Sequence, residues 1–197
     1  MLNRTTGILA LTLASAGLAG TAQAQDAYRV AGGEIVVVCP LTIGGSFEAR
    51  TKTVRGEVVP APSEPGAIAG ALQVDLQTLE TGIGLRDRHM RDNYLEVNKG
   101  PEFSVAKIEQ IRVDKLEGKT TFNGTLLLHG QRRPISGTAE LHPQGDRIRV
   151  QAQFPVSVSS FSIPKPTYLG VGVRDEVQVK VDMTVVEAAP AQSASRR

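Results

Sequence analysis

Apolar and polar side chains alternate one for one along much of the chain. Arg147 to Phe154 reads Arg-Ile-Arg-Val-Gln-Ala-Gln-Phe, and Val177, Val179, Val181, Met183 and Val185 alternate with Gln178, Lys180, Asp182 and Thr184. Ile68, Gly70, Leu72, Val74 and Leu76 make a third run of this kind. A period of two places one set of side chains in a core and the other in water, as in a half-buried strand. Less regular strand candidates are Ile35–Val38, Gly45–Thr53, Phe103–Val113, Thr120–His129 and Pro134–Leu141, giving about eight strands in all. The links Lys115–Lys119, Gly130–Arg133 and His142–Asp146 are too short for parallel crossovers and predict antiparallel neighbours. The fold class is therefore all-β and mainly antiparallel, closed as a barrel or stacked as a sandwich. Alternation alone does not separate these two.

The period breaks between Leu76 and Phe103. There Ile83, Met90, Tyr94 and Val97 fall near one helical stripe, and Asp87 and Arg91 stand at ion-pair spacing. Gly100-Pro101 supplies a stop signal, so one short helical segment is expected near residues 84–97. A second irregular stretch, Phe161 to Gly172, contains Pro164 and Pro166 and reads as a loop near the mouth of a barrel. The N-terminus has Arg4, an apolar run from Ile8 to about Ala19, and small residues at Ala22 and Ala24. This predicts a signal peptide over residues 1–24, cleaved after Ala24, and a periplasmic protein without a transmembrane anchor. The barrel domain is then expected over 25–187, and residues 188–197, small and polar, read as a disordered tail.

Composition narrows the chemistry. The 22 basic and 20 acidic residues nearly cancel, which gives no footprint for nucleic acid. With five Phe, three Tyr and no Trp, the core must be built of aliphatic side chains. Gly44-Gly45-Ser46-Phe47 lacks the second glycine of a nucleophile elbow. Cys39, the single cysteine, precedes Pro40 with no histidine nearby and reads as a small buried hydrophobe. His89, His129 and His142 show no metal-ligand spacing, and no carboxylate pair is marked for glycoside chemistry. No enzymatic activity, metal or obligatory cofactor is expected. The densest charge, Arg86-Asp87-Arg88-His89-Met90-Arg91-Asp92, fits either a solvated helix face or a cationic rim that holds a phosphate.

Four blocks occur in a telling order. They are Leu76-x-Thr78-x-x-Thr81-Gly82 with Leu85-Arg86-Asp87-x-His89-Met90-Arg91 and Tyr94-Leu95-Glu96-Val97; Thr125-Leu126-x-Leu128-His129-Gly130 with Pro134-Ile135; Ser160-Phe161-Ser162-Ile163; and Asp175-Glu176-Val177-Gln178-Val179. Together they resemble the YceI-like family of lipid- and polyisoprenoid-binding proteins. The resemblance implies an eight-stranded lipocalin-like barrel around an elongated apolar channel. It implies a non-enzymatic carrier or scavenger of an isoprenoid (a quinone or a prenyl phosphate) or a related fatty amphiphile. Alternation and the resemblance together nominate Leu72, Val74, Phe103, Val105, Phe122, Leu126, Ile148, Val150, Phe154, Val177, Val179 and Val181 as channel lining. Arg86, Arg88, His89 and Arg91 are head-group candidates, and Tyr168 is a candidate cover for the mouth. Two other readings stay open. One is a stress-response or protein-interaction barrel beside a membrane electron-transfer protein; the other is a lipid-acting hydrolase or isomerase. Pairing of two chains as a homodimer is left open with any of these readings.

Overall fold

The computed structural model describes residues 27–61, 64–168 and 171–188; the expected signal peptide and residues 189–197 of the expected tail lie outside the described residues. Strands β1 (Tyr28–Pro40), β2 (Ser46–Thr51), β3 (Val54–Pro60) and β4 (Ala67–Asp75) lead into a helical connection. That connection contains α1 (Gly84–His89), a π-helical turn (Met90–Tyr94) and α2 (Pro101–Ser104), with 3-10 turns at Leu76–Thr78 and Val97–Lys99. Then come β5 (Val105–Val113), β6 (Gly118–Leu128), β7 (Gln131–Gln144) and β8 (Arg147–Ser157). A small hairpin of β9 (Thr167–Tyr168) and β10 (Val171–Gly172) precedes the long β11 (Glu176–Glu187).

Nine strands form one antiparallel sheet in the order β11-β8-β7-β6-β5-β4-β3-β1-β2, and β11 pairs back onto β1 to close it. β2 and β3 share a single register against β1: Ile35 faces Thr51, and Tyr28 faces Val58. They are two halves of one strand interrupted at Lys52 and Thr53, so the closed barrel has eight strands. The expected strand Gly45–Thr53 thus stops at Thr51, and its continuation Val54–Pro60 carries no clean alternation because Gly56 interrupts Val-Arg-Gly-Glu-Val-Val-Pro.

β5 departs from its expected start as well. Phe103 and Ser104 belong to α2, opened by Pro101 at the first helical position, where its missing N–H costs nothing. Further along, Gln110 has φ 55 and the pairing slips between Glu109 and Arg112, which marks a β-bulge. Ala106 and Ile108 face the interior before the bulge; Ile111 and Val113 are buried after it. The inward-facing parity therefore switches from even to odd within one strand.

The far end of the barrel is solid. Ile35, Val54, Met183 and Val185 form a buried cluster, with Ile148, Val150 and Val30 packed against it. Nearby, the Phe122 and Phe154 rings meet edge to face, 5.7 Å apart. Gly137, paired with Phe122 across β6–β7, is what lets them approach. A Cβ at Gly137 would stand 2.3 Å from the Gln153 carbonyl, 2.8 Å from Phe154 Cβ and 2.9 Å from the Phe122 ring. Gly137→Ala is expected to lower the unfolding free energy by about 2–3 kcal/mol, measured by urea denaturation, because backbone as well as side chains must shift. A variant as stable as the parent would show that this end is loosely packed.

Candidate functional site

Above this packed floor the barrel encloses a cavity of about 770 Å³, within the range of about 300–1,000 Å³ usual for small-molecule sites. Its wall takes Val37 and Cys39 from β1, Leu72 and Val74 from β4, Ile108 from β5, and Leu126 and Leu128 from β6. Phe154 and Val156 of β8 and Val177, Val179 and Val181 of β11 complete it. The helical connection leaves the end of β4 and returns to the start of β5, so it packs across one end and contributes Met90, Tyr94 and Leu95 to the lining. Ile163, Val171 and Val173 come from the segment after β8. Lining residues that are also exposed mark the opening: Ser46, Ile83, Leu85, His89 and Thr167.

Seven of the twelve channel candidates face this space: Leu72, Val74, Leu126, Phe154, Val177, Val179 and Val181. The other five do not. Phe122, Ile148 and Val150 point into the barrel but lie at the level of the floor, where they fill rather than line it. Val105 has the opposite parity to Ala106 and Ile108. Phe103 sits in α2 with its ring edge-on to His129, centroids 4.8 Å apart. Lining residues not anticipated include Val37, Cys39, Tyr94 and Leu95, and also Phe47, whose alternation with Ala49 and Thr51 was the available signal. Burial pushes the Cys39 thiol up to about 11 against the opposing charge of Arg86, so the lining holds a neutral thiol.

The cluster of charge around α1 divides into separate tasks. Asp87 is buried and accepts from the Thr81 backbone N–H at 2.7 Å and from the Thr81 hydroxyl, so the expected Asp87–Arg91 ion pair does not form. Arg91 instead donates to the Gln77 and Leu79 carbonyls, both at 3.3 Å, and ties the π-helical turn to the chain that precedes it. Arg88 points to solvent with no partner among the described residues. Arg86 donates from Nε to the Thr81 hydroxyl at 2.8 Å and lies 4.3 Å over the Phe47 ring. It lines both the apolar cavity and an adjoining polar recess that holds Arg50, Lys52, Thr51, Thr53 and Thr78. Of the head-group candidates, Arg86 and His89 thus reach the cavity, while Arg88 and Arg91 do not. Tyr168 pairs with Val171 in the β9–β10 hairpin; its side chain lies outside the described residues.

Residues 30–185 match the YceI-like domain. The chain belongs to the YceI family. Among curated proteins it is 31% identical over 101 residues to a UPF0312 protein of Vibrio cholerae, and it spans about half (52%) of that relative's length and 50% of its own. Its barrel superposes on Burkholderia cenocepacia BcnA with a TM-score of 0.64 at 15% identity, covering 77% of this chain and 95% of that one. A polyisoprenoid-binding domain from Saccharophagus degradans gives 0.62 at 18% identity, covering 83% and 100%. The Campylobacter jejuni YceI protein gives 0.57 at 15% identity, covering 74% and 88%. These solved structures show the YceI barrel as the shared fold.

A polar latch holds the helical connection onto this YceI barrel. His129, buried at the β6–β7 turn with φ 51, places Nδ1 3.0 Å from the Phe161 carbonyl and Nε2 3.1 Å from a Glu96 carboxylate oxygen. Carbonyl and carboxylate both accept, so the two bonds are made together when the ring carries two N–H groups. Glu96 also takes the Lys99 ammonium at 2.7 Å. The Lys99 hydrogen bond, helped by the charges of Lys99 and His129, holds the Glu96 carboxyl below the usual glutamate range. A carboxyl lowered by folding stabilises the native state fully above its ordinary value of about 4.3, and that stabilisation is lost as pH falls through the folded value. Glu96→Gln is therefore expected to lower the thermal midpoint at neutral pH, with the gap to the parent closing as pH falls below the ordinary glutamate range. Thermal melts across the acid range check this; a gap that persists unchanged in acid would remove Glu96 ionisation from the latch.

Proposed function

We propose that this chain is a periplasmic carrier or scavenger that shelters the tail of an amphiphilic isoprenoid, such as a quinone or a prenyl phosphate, inside its barrel. The observation that carries the reading is the open apolar cavity of about 770 Å³ that ends at the shared Arg86. Each hundred Å² of tail withdrawn from water contributes about 2.5 kcal/mol before ordering costs are subtracted. The lining offers that gain with few polar groups to oppose it. Arg86, aligned by Thr81 and stacked on Phe47, suits a phosphate or carbonyl head because its orientation is fixed before the ligand arrives. The polyisoprenoid-binding domain of Saccharophagus degradans, with the same fold, supports this choice of ligand class. An open interior also weighs against a barrel that acts only as a protein-interaction partner, for which a filled core is expected.

Native mass spectrometry of protein purified from the periplasm, followed by organic extraction, is expected to recover an isoprenoid or related lipid. Recovery of none, together with failure to take up added quinone or prenyl phosphate, would end the carrier reading. Arg86→Ala is expected to weaken prenyl phosphate binding by about ten-fold or more, the range for a lost hydrogen bond to a charged group. Equal loss for an uncharged prenol would show that Arg86 shapes the mouth rather than meeting the head.

A further inference from the structure

We propose that the mouth of the barrel docks on an anionic lipid bilayer, which names the source from which the amphiphile of the preceding section arrives. Four large apolar residues stand out in solvent among the described residues: Ile43 68%, Leu85 61%, Ile83 54% and Leu116 49% exposed. Leu116 is in the β5–β6 turn at the far end. The other three gather around the opening. Ile83 and Leu85 flank it and line it. Ile43 tips the β1–β2 turn, whose Thr42 exchanges hydrogen bonds of 2.8 and 2.9 Å with Gly172 on the rim. Single exposed apolar residues are ordinary, but three around a cavity entrance are a patch with a position.

The charges on the same segments are unequal. Arg88 has no partner among the described residues, and Arg174 is spread along the rim by its 3.0 Å hydrogen bond to the Leu41 carbonyl. Lys165 stands 3.9 Å from Asp175. The acids are only partly engaged: Asp87 is buried on Thr81, Asp175 takes Ser157 at 2.6 Å and the Ser159 N–H at 3.1 Å, and Asp92 takes the Asn98 amide at 3.3 Å, whereas Glu80 and Glu176 stand exposed with no cation partner among the described residues. Glu34 and Glu48 are both engaged by Arg50, behind the rim. Apolar side chains that enter the headgroup boundary and cations that meet lipid phosphates are the two signals that together give membrane attachment. Here they surround the entrance of an apolar cavity, so a prenyl or acyl chain leaving the bilayer enters the barrel without crossing water.

The test is co-sedimentation with vesicles of phosphatidylcholine alone and of phosphatidylcholine with about one-third phosphatidylglycerol. The protein is expected to bind the anionic vesicles and to release them at high salt. Arg88→Ser is expected to reduce that binding about five-fold and to change nothing on neutral vesicles. Ile43→Asp is expected to reduce it about ten-fold or more. Neither residue lines the cavity, so both variants are expected to take up cis-parinaric acid, a fluorescent polyene fatty acid, from solution as the parent does. Absent vesicle binding with intact uptake would overturn the docking proposal and leave the cavity reading standing; vesicle binding without uptake would support docking and overturn the cavity reading. Full vesicle binding by Ile43→Asp would overturn the proposed surface. So would a dimer in sedimentation velocity that Ile43→Asp disperses, since the occupant would then be a second copy of the chain.

Discussion

Closure of the barrel rests on β1, which serves three partners with its two edges. One edge runs along β11 from Tyr28 to Val38, and the other is divided between β2 and β3. Every cavity wall depends on that arrangement, because β1 joins the first and last parts of the chain into one ring. Without it the sheet would have two open edges, and its apolar inner face would have nothing to enclose. The interruption at Lys52 and Thr53 is where Thr51, Thr53 and Thr78 bond to one another at 2.6 to 3.0 Å. Hydroxyls thus replace the ladder bonds lost at the bend and leave a polar recess beside the cavity.

Within the ring, depth matters as much as face. All the inward side chains of β8 are apolar, yet Ile148 and Val150 pack a floor while Phe154 and Val156 border open space. The boundary follows from what caps each end. At the floor, aromatic rings and β-branched side chains meet across Gly137; at the mouth, a 3-10, α and π succession replaces strand and holds the strands apart from a filled core. Asp87, Arg91 and His129 all spend their hydrogen-bonding capacity on keeping that succession in place. A segment that bridges an open cavity has fewer apolar contacts than one on a full core, so polar ties take a larger share of holding it.

Much of this was legible in alternation. β8 and β11 read directly, since a strand with one wet face repeats every two residues. The barrel itself became legible only through the ordered blocks, because alternation is the same in a sandwich. What stayed hidden has local causes. The bulge at Gln110 reverses parity without any breaker residue, so Val105 looked like lining and is not. Phe103 looked like the start of a strand because Pro101 two residues earlier can end a helix or begin one. The charged run around Arg86 could not be apportioned in advance, since the partner of each residue lies on another segment: Thr81 and Phe47 for Arg86, and backbone carbonyls for Arg91.

The aliphatic wall has a consequence for how a ligand is measured. No directional bond along it fixes where a given carbon must rest, so a bound chain is free to slide, as it would in a liquid. Its depth is then set by the anchored end and by the floor of Ile35, Val54 and Met183. A chain that stops short of the floor leaves a void, which costs about 24 cal/mol for each Å³ left empty. One that is too long must leave its surplus outside in water. In the carrier reading proposed above, such a barrel acts as a ruler, distinguishing tails by length while remaining indifferent to the pattern of methyl groups and double bonds along them.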